Sequence, residues 1–151
     1  MADSIAAVLV TVFGLVVGSF LRKDQPLLAH RLRQAAKKGA QISSLHSVDD
    51  DWLMPIAHRA IVTPSQLPAM LAQIVVAAAQ GAGKDVPAAL QGLETAAAAD
   101  VIADSLLSGD RRAILLGNYA IQHRDASQIV ALAQALASIT GATLGVCTEA
   151  A

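Results

Sequence analysis

One short pattern occurs twice in this chain. Its first glycine is Gly18 in one copy and Gly117 in the other, 99 residues later. In each copy an apolar run ends at one of these glycines, a helical stretch follows, and a second glycine precedes another apolar run. The second glycines are Gly39 and Gly141. A strand, a helix and a strand in this order form a βαβ unit, and two such units predict a mostly parallel sheet. The pattern therefore predicts an α/β fold from two related halves, doubly wound and Rossmann-like, with helices on both faces of the sheet.

Apolar periodicity and turn residues predict the individual elements. The strands are expected at 13–17, 40–45, 59–62, 112–116 and 144–147. Helices are expected at 26–38, 63–79 and 93–107, with a last one that carries Ile129 and Leu136.

The glycine- and proline-rich segment 81–87 predicts a linker between two halves, 1–80 and 88–151. A chain of 151 residues fits a single domain. It stops almost directly after the last predicted strand, so no helix is left to cover that strand. We therefore expect one α/β domain excised from a longer protein.

Composition limits the classes of function. Hydrophobic residues make up 54% of the chain, aromatic residues only 3%, and the net charge is −1, which argues against a nucleic-acid partner. The single cysteine cannot form an internal disulfide or hold a metal cluster alone, so a reducing cytoplasmic setting is expected. Residues 5–21 carry no charge, but a membrane span needs about 20 apolar residues, and this run contains two glycines. A buried helix end and strand is the favoured interpretation, and a membrane-anchored interaction protein is a minor alternative.

The ends of the two duplicated strands are the best binding candidates. Parallel sheets bind ligands at the carboxyl ends of their strands, and glycine there lets a ligand approach the backbone closely. The candidate cofactor-binding residues are Gly18, Ser19, Gly117 and Asn118, as a vestigial site or as the site of a cofactor-binding alternative. The competing interpretation is a tight turn that needs glycine for its own geometry.

Other motifs are weaker. The segment from Gly81 to Lys84 is similar to a phosphate loop, but that pattern requires glycine at Ala78 and serine or threonine at Asp85. No GxGxxG fingerprint follows the first strand, and Ser19 lacks the Gly-x-Ser-x-Gly elbow of a nucleophile.

An acidic loop, 49–51, lies beside His46 and could suggest a metal or acid/base site. Three consecutive carboxylates point in different directions, so a solvated loop with one capping aspartate is favoured. The remaining histidines are scattered. The sequence therefore predicts no catalytic residue and no metal ligand.

Two blocks, 16–27 and 31–40, resemble the large iron–sulfur subunit of bacterial NADH:quinone oxidoreductase, respiratory complex I. Segments 113–120 and 143–151 are similar to the same subunit further along. The resemblance implies a piece of that subunit's molybdopterin-oxidoreductase-like region. Molybdenum-containing relatives often have asparagine where Phe20 stands, which argues against a pterin site.

The resemblance implies a non-catalytic scaffold domain that supports electron transfer from NADH to quinone. Its partners would be other complex I subunits, and its location would be cytoplasmic and peripheral to the inner membrane, without direct insertion. Activity would belong to the whole oxidoreductase and not to this segment. No cofactor is expected here, and the iron–sulfur clusters would lie in the missing N-terminal part. The alternative is a free-standing nucleotide- or cofactor-binding α/β module.

Overall fold

A computed structural model describes residues 12–49, 51–109 and 111–147. Its five strands form one parallel sheet in the order β3-β2-β1-β4-β5. The strands are β1 (Val12–Val17), β2 (Ile42–His46), β3 (His58–Ile61), β4 (Arg111–Gly117) and β5 (Thr143–Cys147). The predicted doubly wound α/β fold is confirmed.

Six α-helices connect these strands in the described part of the chain. They are α1 (Leu21–Asp24), α2 (Pro26–Lys37), α3 (Leu67–Ala82), α4 (Ala97–Ser108), α5 (Asn118–Ile121) and α6 (Ala126–Thr140), with 3₁₀ turns at Pro64–Gln66 and Ala88–Leu90.

The central strand β1 is buried on both faces. Leu15 and Val17 are fully buried in a core that includes α3, α4 and α6, whereas Val16 is 2% exposed and belongs to a smaller core with α2. Successive side chains of a strand point to opposite faces, so a strand covered on both faces needs an unbroken apolar run. We call the surface under α3, α4 and α6 the first face and the surface under α2 the second face.

The second face is only partly covered. Among the described residues, its core draws on α1, α2 and the segment around Trp52, and it reaches no further than Leu115 on β4. Leu115 is half-buried and pairs in register with Gly145 on β5. An apolar groove of about 100 Å³ separates α2 from β4 and is lined by Leu28, Leu32 and Leu115 among others. No described helix packs on this face over β5.

Helix boundaries differ from the sequence prediction at two points. The helix expected from residue 63 begins only at Leu67, after a 3₁₀ turn at Pro64–Gln66, and Thr63 makes no side-chain capping hydrogen bond to that turn. Helix α3 continues to Ala82, into the predicted linker, because Gly81 lets it approach α4: a Cβ at Gly81 would lie 2.9 Å from Leu107 Cδ1. Gly83, with φ +68°, then ends the helix in the left-handed conformation.

The uncharged run 5–21 is described only from residue 12 onward, where it forms β1 and the turn after it. The helix end predicted before this strand lies outside the described residues. Among the described residues, no helix has the length and apolar character needed to cross a membrane.

Candidate functional site

The carboxyl ends of β1 and β4 lie side by side at the centre of the sheet. Val17 pairs with Leu116 in register, so Gly18 and Gly117 follow adjacent strands. From here the chain passes to opposite sides, since β1 leads to α2 on the second face and β4 leads to α6 on the first. This is the topological switch point, where open α/β sheets bind their ligands.

The two glycines allow the turns after β1 and β4 to touch. Gly18 has φ +58°, and its carbonyl oxygen accepts a hydrogen bond of 3.2 Å from the N–H of Ala120. A Cβ on Gly18 would lie 2.7 Å from the Ala120 nitrogen, and a Cβ on Gly117 would lie 2.6 Å from Ser19 Cα. Both distances are below the roughly 3.5–4.0 Å of ordinary carbon contacts. The space beside these glycines is therefore filled by the chain itself.

Ser19 and Asn118, the other two predicted binding residues, also lie at this junction. Ser19 is 1% exposed, and its Oγ is buried without a hydrogen-bond partner among the described residues. Asn118 is half-buried and begins α5, a helix of 4 residues. The structure thus brings all four predicted residues together, in a closed junction.

Three aromatic rings form a cluster at the same edge, and we call it the aromatic cluster: Phe20, His46 and Tyr119. The ring of His46 lies 4.6 Å from that of Phe20, edge to face, and 4.8 Å from that of Tyr119, stacked. Such ring pairs contribute about 0.5–1.5 kcal/mol beyond their buried area. The cluster joins the carboxyl ends of β2, β1 and β4.

His46 is held in one orientation by backbone groups. Its Nδ1 accepts hydrogen bonds from the N–H groups of Ser47, at 2.8 Å, and Val48, at 2.9 Å. Because Nδ1 accepts twice, the ring proton of the neutral imidazole is on Nε2. With 1% of its surface exposed, this ring organises the turn after β2.

Sequence reasoning missed the aromatic cluster. In the sequence His46 stands beside the acidic loop and Phe20 stands where relatives carry asparagine, and neither observation predicts a group of rings. The available signal was positional, since Phe20 and Tyr119 each follow a strand-ending glycine by two residues. Strand order was needed to bring them together.

The acidic loop makes ordinary surface contacts. Asp49 pairs with Arg59 at 2.6 Å, and an Asp51 carboxylate oxygen accepts from the N–H of Leu53 at 2.9 Å. Among the described residues, no three potential metal ligands lie close together. Lys84, the lysine of the phosphate-loop-like segment, donates to the Ile139 carbonyl at 2.9 Å, near the end of α6.

Comparisons with known proteins bear on the fold. No family model matches the chain, and no curated protein matches it. A similar solved structure is the X-ray crystal structure of the formyltransferase/hydrolase complex (FhcABCD) from Methylorubrum extorquens in complex with methylofuran. The TM-score is 0.56 at 19% sequence identity, and the match covers 97% of this chain and 39% of that chain.

These findings contradict the assignment to the large iron–sulfur subunit of NADH:quinone oxidoreductase, because the structural match is to a formyltransferase/hydrolase complex. The scaffold role in electron transfer to quinone is wrong on the same finding. The complex I partners and the location at the inner membrane rested on that assignment alone. The chain shares an α/β fold with a segment of a protein from a multi-component complex.

Proposed function

We propose that this chain is an assembly domain, which binds a neighbouring protein surface within a larger complex through the second face of its sheet. The part of that face that no described helix covers is the observation that carries the proposal. Leu115 is half-buried there, its neighbour in register is a glycine, and Leu27 on α2 is 80% exposed. Parallel sheets occur almost only with both faces covered.

The amino-acid composition also supports a surface that another protein covers. Charged residues make up 15% of the chain and the mean hydropathy is +0.51, whereas soluble domains average about 25% charged residues. Large exposed hydrophobic side chains include Leu27, Leu53 and Val146. A surface with so few charges fits contact with another protein better than free solution.

The geometry of the switch point also supports the assembly proposal, because it argues against the cofactor-binding alternative. Its glycines serve contact between two turns, and Ser19 and Ala120 fill the space directly beside those glycines. The similar segment makes up 39% of a chain in the formyltransferase/hydrolase complex, so this fold occurs as part of a larger assembly.

Native mass spectrometry of the tagged protein, purified from its own cells, tests the proposal. We expect a defined heteromeric complex of fixed stoichiometry. Thr143→Arg adds charge to an exposed position of β5 on the second face, and Leu27→Glu adds charge to an exposed position of α2; combined, they should release the partner. Gln80→Arg, at an exposed residue of α3, is the matched control and should retain the partner.

Two outcomes would contradict the proposal. One is a monomer at native concentration, and the other is a partner that the double variant binds as tightly as the parent. A thermal-shift screen of nucleotides and flavins examines the alternative, because a ligand that binds the native state raises the melting temperature. A shift that is lost in Gly18→Val would favour a cofactor-binding module.

A further inference from the structure

A small cationic pocket lies beside the carboxyl edge of the sheet, and we call it the arginine pocket. It has a volume of about 170 Å³ and is formed by α1, the first turns of α2 and the loop after β2. Arg22, His30 and Arg33 supply its polar lining, and Trp52 and Leu53 are among its apolar walls. It is separate from the switch-point junction and from the groove between α2 and β4.

The charges of this pocket are not balanced by its own lining. Arg22 donates through Nη1 to the backbone carbonyl of Asp51 at 2.6 Å, which leaves its formal charge in place. Arg33 approaches His30 Nδ1 through Nη2 at 3.4 Å, and none of the described residues that line the pocket carries a carboxylate side chain. Among the described residues, the one ion pair is that of Asp49 with Arg59.

Arg33 also has an unsatisfied donor. Its Nε is buried and has no hydrogen-bond partner among the described residues. Burying a charged donor without a partner is unfavourable. An anion held in the pocket would offset part of that cost through its charge, without contact at Nε itself.

One apolar wall of the pocket is part of the hydrophobic core. Trp52 is 3% exposed and packs in the second-face core with Leu21, Ala29 and Leu32. This wall is therefore in place before any ligand binds, which lowers the entropy cost of binding.

We propose that the arginine pocket binds a phosphate dianion, either free inorganic phosphate or the terminal group of a phosphomonoester. Guanidinium groups present planar forks of donors that match phosphate oxygens, and two of them neutralise a double negative charge. Small-molecule pockets usually measure about 300–1,000 Å³, so this smaller one fits a single phosphate group and not a whole nucleotide.

The chain carries its own probe for this site. Trp52 is the single tryptophan and lines the pocket, so its fluorescence reports on occupancy. The protein is titrated at constant ionic strength with inorganic phosphate, glycerol phosphate and malonate in separate arms, and isothermal calorimetry measures the same affinities independently. We expect saturable binding of phosphate, and the glycerol phosphate arm shows whether an ester is accepted.

Arg22→Gln and Arg33→Gln should each weaken phosphate binding by about tenfold or more, as expected for loss of a charge-assisted hydrogen bond. Arg31→Gln is the matched control, because Arg31 is exposed on the same helix and does not line the pocket. It should change the dissociation constant by less than about twofold, a difference of about 0.4 kcal/mol. Arg33→Lys keeps the positive charge but lacks the planar fork of donors. Its dissociation constant for phosphate should lie between those of Arg33→Gln and Arg31→Gln.

Three results would overturn the proposal: no saturable signal with phosphate, malonate binding as tightly as phosphate, or an equal loss of affinity in all glutamine variants. Thermal unfolding of each variant shows that it is folded before titration. The outcome is independent of the assembly proposal, since the titration uses the isolated protein and the partner experiment changes other residues.

Discussion

Gly117→Ala is a direct test of how the switch point is closed. Gly117 has φ −88° and ψ 178°, which any residue adopts, so the substitution adds no backbone strain. The added Cβ would lie 2.5 Å from the carbonyl oxygen of Gly18 and 2.6 Å from Cα of Ser19. Both are backbone atoms of the adjoining turn, so no side-chain rotation relieves the contact.

The cost follows from this geometry. Restoring carbon contacts of about 3.5–4.0 Å requires the two turns to separate by about 1 Å. Overpacking of a closed site costs typically 1–3 kcal/mol, and contact with fixed backbone on one side puts Gly117→Ala at the upper end, about 3 kcal/mol. In a domain of this size that lowers the melting temperature by roughly 6–12 °C.

Substitutions at two further glycines distinguish the effect of a close contact from the effect of backbone strain. Gly141 has φ +74° and nothing within 4 Å of its hypothetical Cβ, so Gly141→Ala adds backbone strain without a close contact. This change should lower the free energy of unfolding by about 1–2 kcal/mol. Gly18 combines φ +58° with a contact at 2.7 Å and should cost the most. Urea unfolding should rank the variants Gly141→Ala, Gly117→Ala and Gly18→Ala in order of increasing loss. A Gly117→Ala variant as stable as Gly141→Ala would refute the close-contact explanation.

Three other substitutions test the remaining interactions. Arg112 donates 2.6–2.8 Å hydrogen bonds to three backbone carbonyls, so Arg112→Met should lower the free energy of unfolding by about 3–5 kcal/mol. Urea unfolding measures this, and Arg111→Met, at an exposed neighbour, should stay within about 0.5 kcal/mol. His46→Leu leaves two backbone N–H groups unsatisfied and should cost about 1–3 kcal/mol in the same assay, and an unchanged midpoint would contradict the role of Nδ1. Arg59→Gln breaks a surface ion pair with Asp49, so thermal unfolding should show a loss of no more than about 1 kcal/mol.

The sequence was sufficient for the fold class and the position of each strand, though not for the strand order, because glycine and proline separate its elements. Gly18, Gly39, Gly117 and Gly141 each end a strand or follow a helix, as expected, and the predicted strands lie within two residues of the observed ones. The glycine at 81 was misleading. Glycine at this position predicts the start of a linker, whereas Gly81 lies inside α3, where that helix packs closely against α4.

The site was only half predictable. The switch-point glycines stood out because they repeat in the chain. Phe20, His46 and Tyr119 are 26 and 73 residues apart, and only the strand order brings their rings together. Two blocks of the family resemblance, 16–27 and 31–40, lie within the first βαβ unit, and a shared unit of this kind carries no information about function by itself.

The central position of β1 has a consequence for synthesis on the ribosome. β1 pairs with β2 on one side and β4 on the other, and Val12 lies opposite Arg111, 99 residues later. At about 5–20 residues per second, the β4 side of β1 stays unpaired for roughly 5–20 s after β1 is made. During that time an apolar strand edge is open to other nascent chains, so we expect a chaperone to bind this protein before β4 emerges.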